Sequence, residues 1–259
     1  MASTQKTAVN VVFGAMTIGK PGVEQTRVHT FPATAALLNT FQSHGHNEID
    51  TARFYGGGSS EEYLGELDWQ SRGWVDMWYL HGPDRTTPFS ETLREVDALY
   101  KEGYFKRFGI SNYMSWEVSR IGVYNALHRA VEPELFACLR HYGIAFYAYN
   151  PLAGAYLTNR YHREDTADKV EAGSRFDPAR WQGKMYRARY WTDGYFDALD
   201  ILRPVAERHG LSEAECALRT RHLEENLVDM EKGPLPDEVL QALDAGWKRV
   251  REEAGRYWH

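Results

Sequence analysis

Asn47-Glu48-Ile49-Asp50-Thr51-Ala52-Arg53-Phe54-Tyr55-Gly56 is the stretch on which the reading of this chain turns. Glu48 to Ala52 reads as a short strand that carries an acid, Asp50, and five residues later Tyr55 opens the glycine turn Gly56-Gly57-Gly58. An acid beside a phenol suggests proton chemistry. A second strand-like run, Val75-Asp76-Met77-Trp78-Tyr79-Leu80, leads into His81 and breaks at Gly82-Pro83, which sets His81 at a strand's carboxyl end. In α/β proteins that end is where sites are built.

Working outward, five runs read as strands buried on both faces: Val9 to Met16, Glu48 to Ala52, Val75 to Leu80, Phe105 to Ser111 and Ile144 to Asn150. Helical patterns separate them. The clearest follows Pro88 and Ser90, places Leu93, Val96, Leu99 and Tyr100 on one face and ends at Gly103. Alternating strands and helices predict right-handed crossovers and a parallel sheet. Residues 153 to 193 show no strand pattern and are rich in Arg, Tyr and Trp, which predicts a long functional loop. Beyond it, a helix from Tyr195 to His209 stops at Gly210, Ser212 and Glu215 form a capping-box pattern, and Pro236 opens a last helix through Leu240, Leu243, Trp247 and Val250.

The 259 residues, 43% of them hydrophobic, suffice for one domain spanning 1–259. A net charge of −6 from interspersed signs argues against nucleic acid or an anionic membrane as partner and favours a small molecule. Cys138 and Cys216 are far apart and imply neither a disulfide framework nor a metal site, as in a reducing compartment. No signal-peptide pattern opens the chain and no apolar run approaches a membrane span, so the expected location is cytoplasmic.

Taken singly, the site residues have plain structural explanations. Asp50 could be a helix cap or a structural acid, Tyr55 a packing residue in its turn, and His81 a strand-end group bonded to backbone. Their shared position at or just past strand carboxyl ends favours a site. Ser111 and Asn112, at another such end, offer a hydroxyl and an amide suited to a planar carboxamide. Tyr149 offers an aromatic face, and the loop through Leu152 and Gly154 brings backbone that could approach a pyrophosphate.

These residues lie in segments (FGAMTIG, EIDTARFYGGGSSEEYLGEL, VDMWYLHGPDRTTPFSETL, FGISNYMSWEV, YNALHRAVEPELFACLRHYGIAFYAYNPLAG, YRARYW and HLEENL) that together resemble the aldo-keto reductases, nearest the aflatoxin-aldehyde-reductase branch and with a fungal look. The resemblance implies a (β/α)8 barrel and reduction of an aldehyde or ketone by NADPH. It assigns Tyr55 as general acid, Asp50 as the acid that orients it, and His81 as the group that polarises the carbonyl. Ser111 and Asn112 match the nicotinamide-amide pair, Tyr149 the stacking ring, Leu152 and Gly154 the pyrophosphate loop, and Glu225 and Asn226 an adenine-contacting pair. Arg189, in YRARYW, matches an arginine that meets acidic substrates in this branch, although a solvated loop charge explains it as well. The resemblance leaves open a homodimer and a place in secondary metabolism.

The chain departs from the family pattern in three places. Residues 67 to 75 run from a helix straight into the strand before His81, omitting the βα unit that carries the family's catalytic lysine. Near residues 120 to 125 only the end of the sixth strand remains, and residues 218 to 222 join a helix to HLEENL without the last strand and its phosphate loop. The expected barrel is therefore incomplete, with the units around strands 3, 6 and 8 missing or shortened. Five strands also fall short of the about eight that close such a barrel. Without the lysine, Tyr55 should stay nearer its free titration range, and a catalytically impaired protein that binds a nucleotide or a protein partner is the alternative function.

Overall fold

In a computed structural model, residues 10–67, 75–113, 121–166, 169–217 and 235–255 are described. In chain order the regular elements are β1 (Val12–Gly14), α1 (Phe31–Ser43), β2 (Glu48–Asp50), α2 (Ser59–Glu66), β3 (Val75–Leu80), α3 (Phe89–Lys101), β4 (Phe105–Ile110), β5 (Ile121–Val123), α4 (Leu135–His141), β6 (Tyr147–Tyr149), α5 (Trp181–Tyr190), α6 (Asp193–Arg208), α7 (Glu213–Ala217) and α8 (Asp237–Val250). Each of β1–β2, β3–β4 and β5–β6 is a parallel pair joined through a helix, the repeating unit of a (β/α) barrel. The registers set Gly14 opposite Asp50, Leu80 opposite Ile110, and Val123 opposite Tyr149, so the carboxyl ends are level within each pair.

Three expectations change. Among the described residues six strands form instead of five, because the remnant at residues 121–123 pairs with β6. Among the described residues they make three separate pairs instead of one sheet. They are also not buried on both faces: Lys106 and Arg107 of β4 are exposed, and Arg107 Nε donates to Asp76 on β3 at 2.7 Å. A strand is covered only where neighbours and crossover helices lie over it, and the chain lacks several of these units.

The helices show the same effect. Gly103 ends α3 as expected, at φ +85° with its N–H donating to Tyr100 O at 3.0 Å. Yet of the predicted apolar face Val96 is buried while Leu93 and Tyr100 stand 50% and 53% exposed. At the other end of the chain, α6 buries Tyr195, Leu199, Leu202 and Ala206 against Val239, Ala242, Leu243 and Gly246 of α8. Gly246 permits this approach, since a Cβ there would lie 3.1 Å from Leu127 Cδ2 and 3.4 Å from Ala198 Cβ. Of the apolar residues read along this helix, Leu243 and Val250 are buried while Leu240 is exposed, and Val239 is buried beside it. The capping box forms: Glu215 N donates to Ser212 Oγ at 3.1 Å and Ser212 N to Glu215 Oε2 at 2.5 Å.

Residues 153–166 and 169–193, expected to form a long functional loop, are largely packed into the core. They contain α5 and supply much of the largest apolar cluster, in which Tyr156, Leu157, Tyr161, Phe176, Tyr186 and Tyr190 pack with Tyr195, Phe196 and Leu199. Irregular backbone can be held this tightly only if its N–H groups find acceptors. Carboxylates provide them: Asp177 accepts from Gly173 N at 2.6 Å and Ala179 N at 2.9 Å, Asp165 from His162 N at 2.7 Å, and Glu213 from Asn159 N at 2.8 Å. A spacing search cannot detect this kind of order, because the acids act on chain neighbours through turns or, for Glu213, from a distant helix.

Candidate active site

Asp50 ends β2, and Tyr55 begins a tight turn five residues later. Gly56, Gly57 and Gly58 follow at φ +56°, +61° and +95°, a left-handed run that residues with a Cβ adopt only under strain. Gly56 is confined as well, since a Cβ there would lie 2.8 Å from Thr26 Cγ2 and 2.9 Å from Ser59 Oγ. The turn folds the phenol back over its strand, and Tyr55 Oη donates to Asp50 Oδ2 at 3.1 Å. The Tyr55 ring meets His81, just past β3, edge to face with centroids 5.9 Å apart. His81 is held in turn from β4: Ser111 N donates to Leu80 O at 2.9 Å and Asn112 Nδ2 to His81 O at 2.7 Å. Asp50, Tyr55 and His81, from two different strand pairs, thus converge.

The electrostatics of this group run against easy proton release. Burial raises the Asp50 carboxyl above the usual carboxylate range, although the Tyr55 hydrogen bond and the His81 charge oppose it. Tyr55 is pushed well above the ordinary phenol range, first by burial, then by the Asp50 charge and the hydrogen bond to it, with Tyr149 adding to the effect and Arg175 opposing it. The expectation that Tyr55 stays near its free range is corrected upward. Its hydrogen-bonded partner is a carboxylate, and Arg175, which opposes the rise, ranks behind burial, Asp50 and Tyr149.

Tyr149 ends β6, half-buried and close enough to influence Tyr55 electrostatically. The Arg189 charge acts on the Tyr149 phenol and opposes the rise that burial causes, which places Arg189 near the site. Just beyond, Asn150, Ala153 and Ala155 adopt φ of +63°, +52° and +77°, and Asn112 after β4 adopts +64°. Left-handed non-glycine residues gathered at strand carboxyl ends mark strained positions of the kind found at functional sites. Leu152 and Gly154 are buried in this turn. The space a Gly154 side chain would need is filled by the Tyr186 ring, 2.3 Å from an added Cβ, so this glycine also serves packing.

Ser111, Asn112, Tyr149 and the 152–154 turn fit the nicotinamide half of a dinucleotide: hydroxyl and amide at one strand end, a ring at another, and a tight turn beside it. Glu225 and Asn226 lie outside the described residues. Behind Tyr149 stands a network that the sequence did not announce. Asn125 Nδ2 donates to Asn150 O at 3.1 Å, Asn150 Nδ2 to the Tyr190 hydroxyl at 2.9 Å, and the Tyr186 hydroxyl to Asn150 Oδ1 at 3.3 Å. Asn150 stands next to Tyr149 in the chain, but nothing in the spacing of Asn125, Tyr186 and Tyr190 connects them to it.

Comparison with known proteins identifies the family. The sequence profile of the aldo/keto reductase family matches residues 10–74 and 72–220, two pieces that meet within the 67–75 junction. The chain is 38% identical to Aldo-keto reductase pigE of Monascus ruber over 98% of each chain, and that alignment runs over 336 positions although this chain has 259 residues. It is 33% identical to Aflatoxin B1 aldehyde reductase member 2 of Homo sapiens, covering 91% of this chain and 88% of the relative. Among solved structures, the glycerol dehydrogenase AKR11B4 from Gluconobacter oxydans matches with a TM-score of 0.65 at 19% identity over 95% of this chain and 92% of that one, which supports the barrel-type fold. Relatives that match end to end yet carry extra internal segments account for a shortened barrel, and the chain belongs to the aldo/keto reductase family.

Proposed function

We propose that this chain reduces aldehydes or ketones to alcohols with NADPH, using Tyr55 as proton donor, in the cytoplasm and within secondary metabolism. The observation that carries the reading is the hydrogen bond from Tyr55 Oη to Asp50 Oδ2, with His81 at the edge of the same ring. NADPH, when bound, supplies the hydride. Tyr55 donates its proton to the substrate oxygen, Asp50 holds the phenol in position, and His81 polarises the carbonyl. Ser111 and Asn112 would hold the carboxamide of the cofactor, Tyr149 would stack on its ring, Leu152 and Gly154 would border the pyrophosphate, and Glu225 and Asn226 would hold the adenine. Arg189, whose charge acts on Tyr149, meets an acidic group on the substrate.

The test is the loss of NADPH absorbance with a panel of aromatic and short-chain aldehydes. Turnover that falls on the order of 100-fold or more in Tyr55→Phe, the typical contribution of a positioned acid, supports the reading. No turnover with any aldehyde sinks it. One observation favours a second reading, in which the protein binds the nucleotide without turnover: burial and Asp50 both raise the Tyr55 phenol, and no lysine stands beside it among the described residues. NADPH binding by calorimetry without oxidation would select this alternative.

A further inference from the structure

The turn that carries Tyr55 is built from soft backbone. Gly56, Gly57 and Gly58 follow the phenol directly, all three in the left-handed region, and glycine reaches many other conformations at little cost. Backbone of this kind keeps one conformation only where its surroundings fix it.

Ser59, the first residue of α2, supplies that tie. Its main-chain N–H donates to the carbonyls of Tyr55 and Gly56, and its hydroxyl donates to Gly56 O at 2.6 Å while accepting from Lys20 N at 3.0 Å. A hydroxyl has one proton to give, and here the turn receives it while a lone pair takes an amide from outside the turn. Lys20 belongs to the loop after β1, which is itself fixed: Ile18, fully buried, donates its N–H to Ala15 O at 3.0 Å, and Gly19 N donates to Val28 O at 3.0 Å. The loop leaves room for this one oxygen. Gly19 sits at φ +147°, and a Cβ there would collide with Ser59 Oγ, as one at Gly56 would from the other side. Ser60, the next residue, offers a contrast. It is equally buried, and its hydroxyl donates to Ala15 O at 2.9 Å, a bond that reaches the same loop but not the glycine turn.

We propose that Ser59 is a positioning residue for Tyr55, its hydroxyl clamping the glycine turn to the loop at Lys20 so that the phenol stays on Asp50 and beside His81. It acts through the main chain on either side of Gly56. The proposal rests on the reductase reading for what the phenol does, but its first test needs no turnover. Ultraviolet difference titration of Ser59→Ala, with Tyr55→Phe added to the same variant as the blank, reads this one phenol. Freed from Asp50 and reached by water, it should titrate lower, toward the ordinary phenol value of about 10. In Ser60→Ala, measured against its own blank, it should stay where wild type has it. A serine with a merely structural role would cost stability in both variants and move the phenol in neither.

An unmoved phenol in Ser59→Ala, or an equal shift in Ser60→Ala, overturns the proposal. Should Ser59→Ala fail to melt cooperatively, Ser59→Cys, close in size and a weaker donor, takes its place, and a shift in the same direction is expected. In a chain that turns over an aldehyde, kcat should fall on the order of tenfold in Ser59→Ala at an unchanged KM, part of the cost of moving a reacting group by about 1 Å, and Ser60→Ala should keep both values. A rise in KM with kcat unchanged would contradict the proposal. A shifted phenol in a chain that reduces no aldehyde would leave Ser59 in its role and remove only the reductase reading.

Discussion

The Asn150 amide donates to the Tyr190 hydroxyl at 2.9 Å, and this bond fixes the backbone immediately after Tyr149 to α5. Asn150 is buried at φ +63°, where its amide also accepts from the Tyr186 hydroxyl. Asn150→Ala should cost on the order of 2 kcal/mol or more, because it leaves buried hydroxyls without partners and puts alanine in a left-handed position. Urea midpoints measure the loss. An unchanged midpoint would show that the network does not hold the β6 end.

Asp50→Asn should lower the titration of the Tyr55 phenol toward its ordinary range. The Asp50 charge and hydrogen bond are, after burial, the leading reasons that it sits high. Ultraviolet difference titration of wild type, Asp50→Asn and the Tyr55→Phe control isolates this one phenol. A titration unmoved by Asp50→Asn would mean that burial alone sets it.

Stability should fall at alkaline pH. Tyr156, Tyr190 and Tyr195 are buried and held above the ordinary phenol range chiefly by burial, and Tyr124 is pushed up to about 12 by burial and its bond to Glu132. A folded-state value above the unfolded one means that the folded state keeps the proton longer. The stability these groups contribute is therefore complete below about pH 10 and is lost as pH rises beyond it, by about 1.4 kcal/mol per pH unit for each such tyrosine. Urea denaturation at successive pH values from neutral to strongly alkaline checks the slope, and a flat profile above pH 10 would contradict it.

Gly183→Ala should be among the most damaging single-methyl additions. An added Cβ would lie 1.7 Å from the Asp177 carbonyl oxygen, which is backbone and cannot swing aside, and the helix start is held there by Asp177's own bonds to Gly173 and Ala179. Overpacking of this kind costs about 3 kcal/mol or more. Thermal melting of the variant beside wild type measures it, and an unchanged Tm would show that the helix can shift.

What the sequence revealed was the part carried by short-range pattern. Asp50 and His81 could be read as neighbours because each lies at or near the carboxyl end of a strand-like run, and both meet Tyr55, while Ser111 stands one residue past β4 and Tyr149 ends β6. The capping box at Ser212 and Glu215 and the stop at Gly103 were legible for the same reason, since each is written within a few residues. Leu93, Tyr100 and Leu240 were misplaced because an apolar stripe shows which face would be buried, not whether anything lies over it. The order in residues 153 to 193 was invisible. It depends on Asp177, Asp165 and Glu213 accepting from irregular backbone and on tyrosines packing across elements, and no periodicity records either. Arg27 and Gly173, 146 positions apart, are joined only by the folded chain, with Arg27 Nη2 donating to Gly173 O at 2.5 Å.

Among the described residues no third strand joins any of the three parallel pairs, and around β3–β4 Trp78, Tyr100 and Tyr104 face water. Aromatic rings gathered at the surface are patches on which other chains can settle. Solubility of this protein will therefore depend on concentration, and crowding copies together will drive self-association through this quarter before it disturbs the helices at the carboxyl-terminal end.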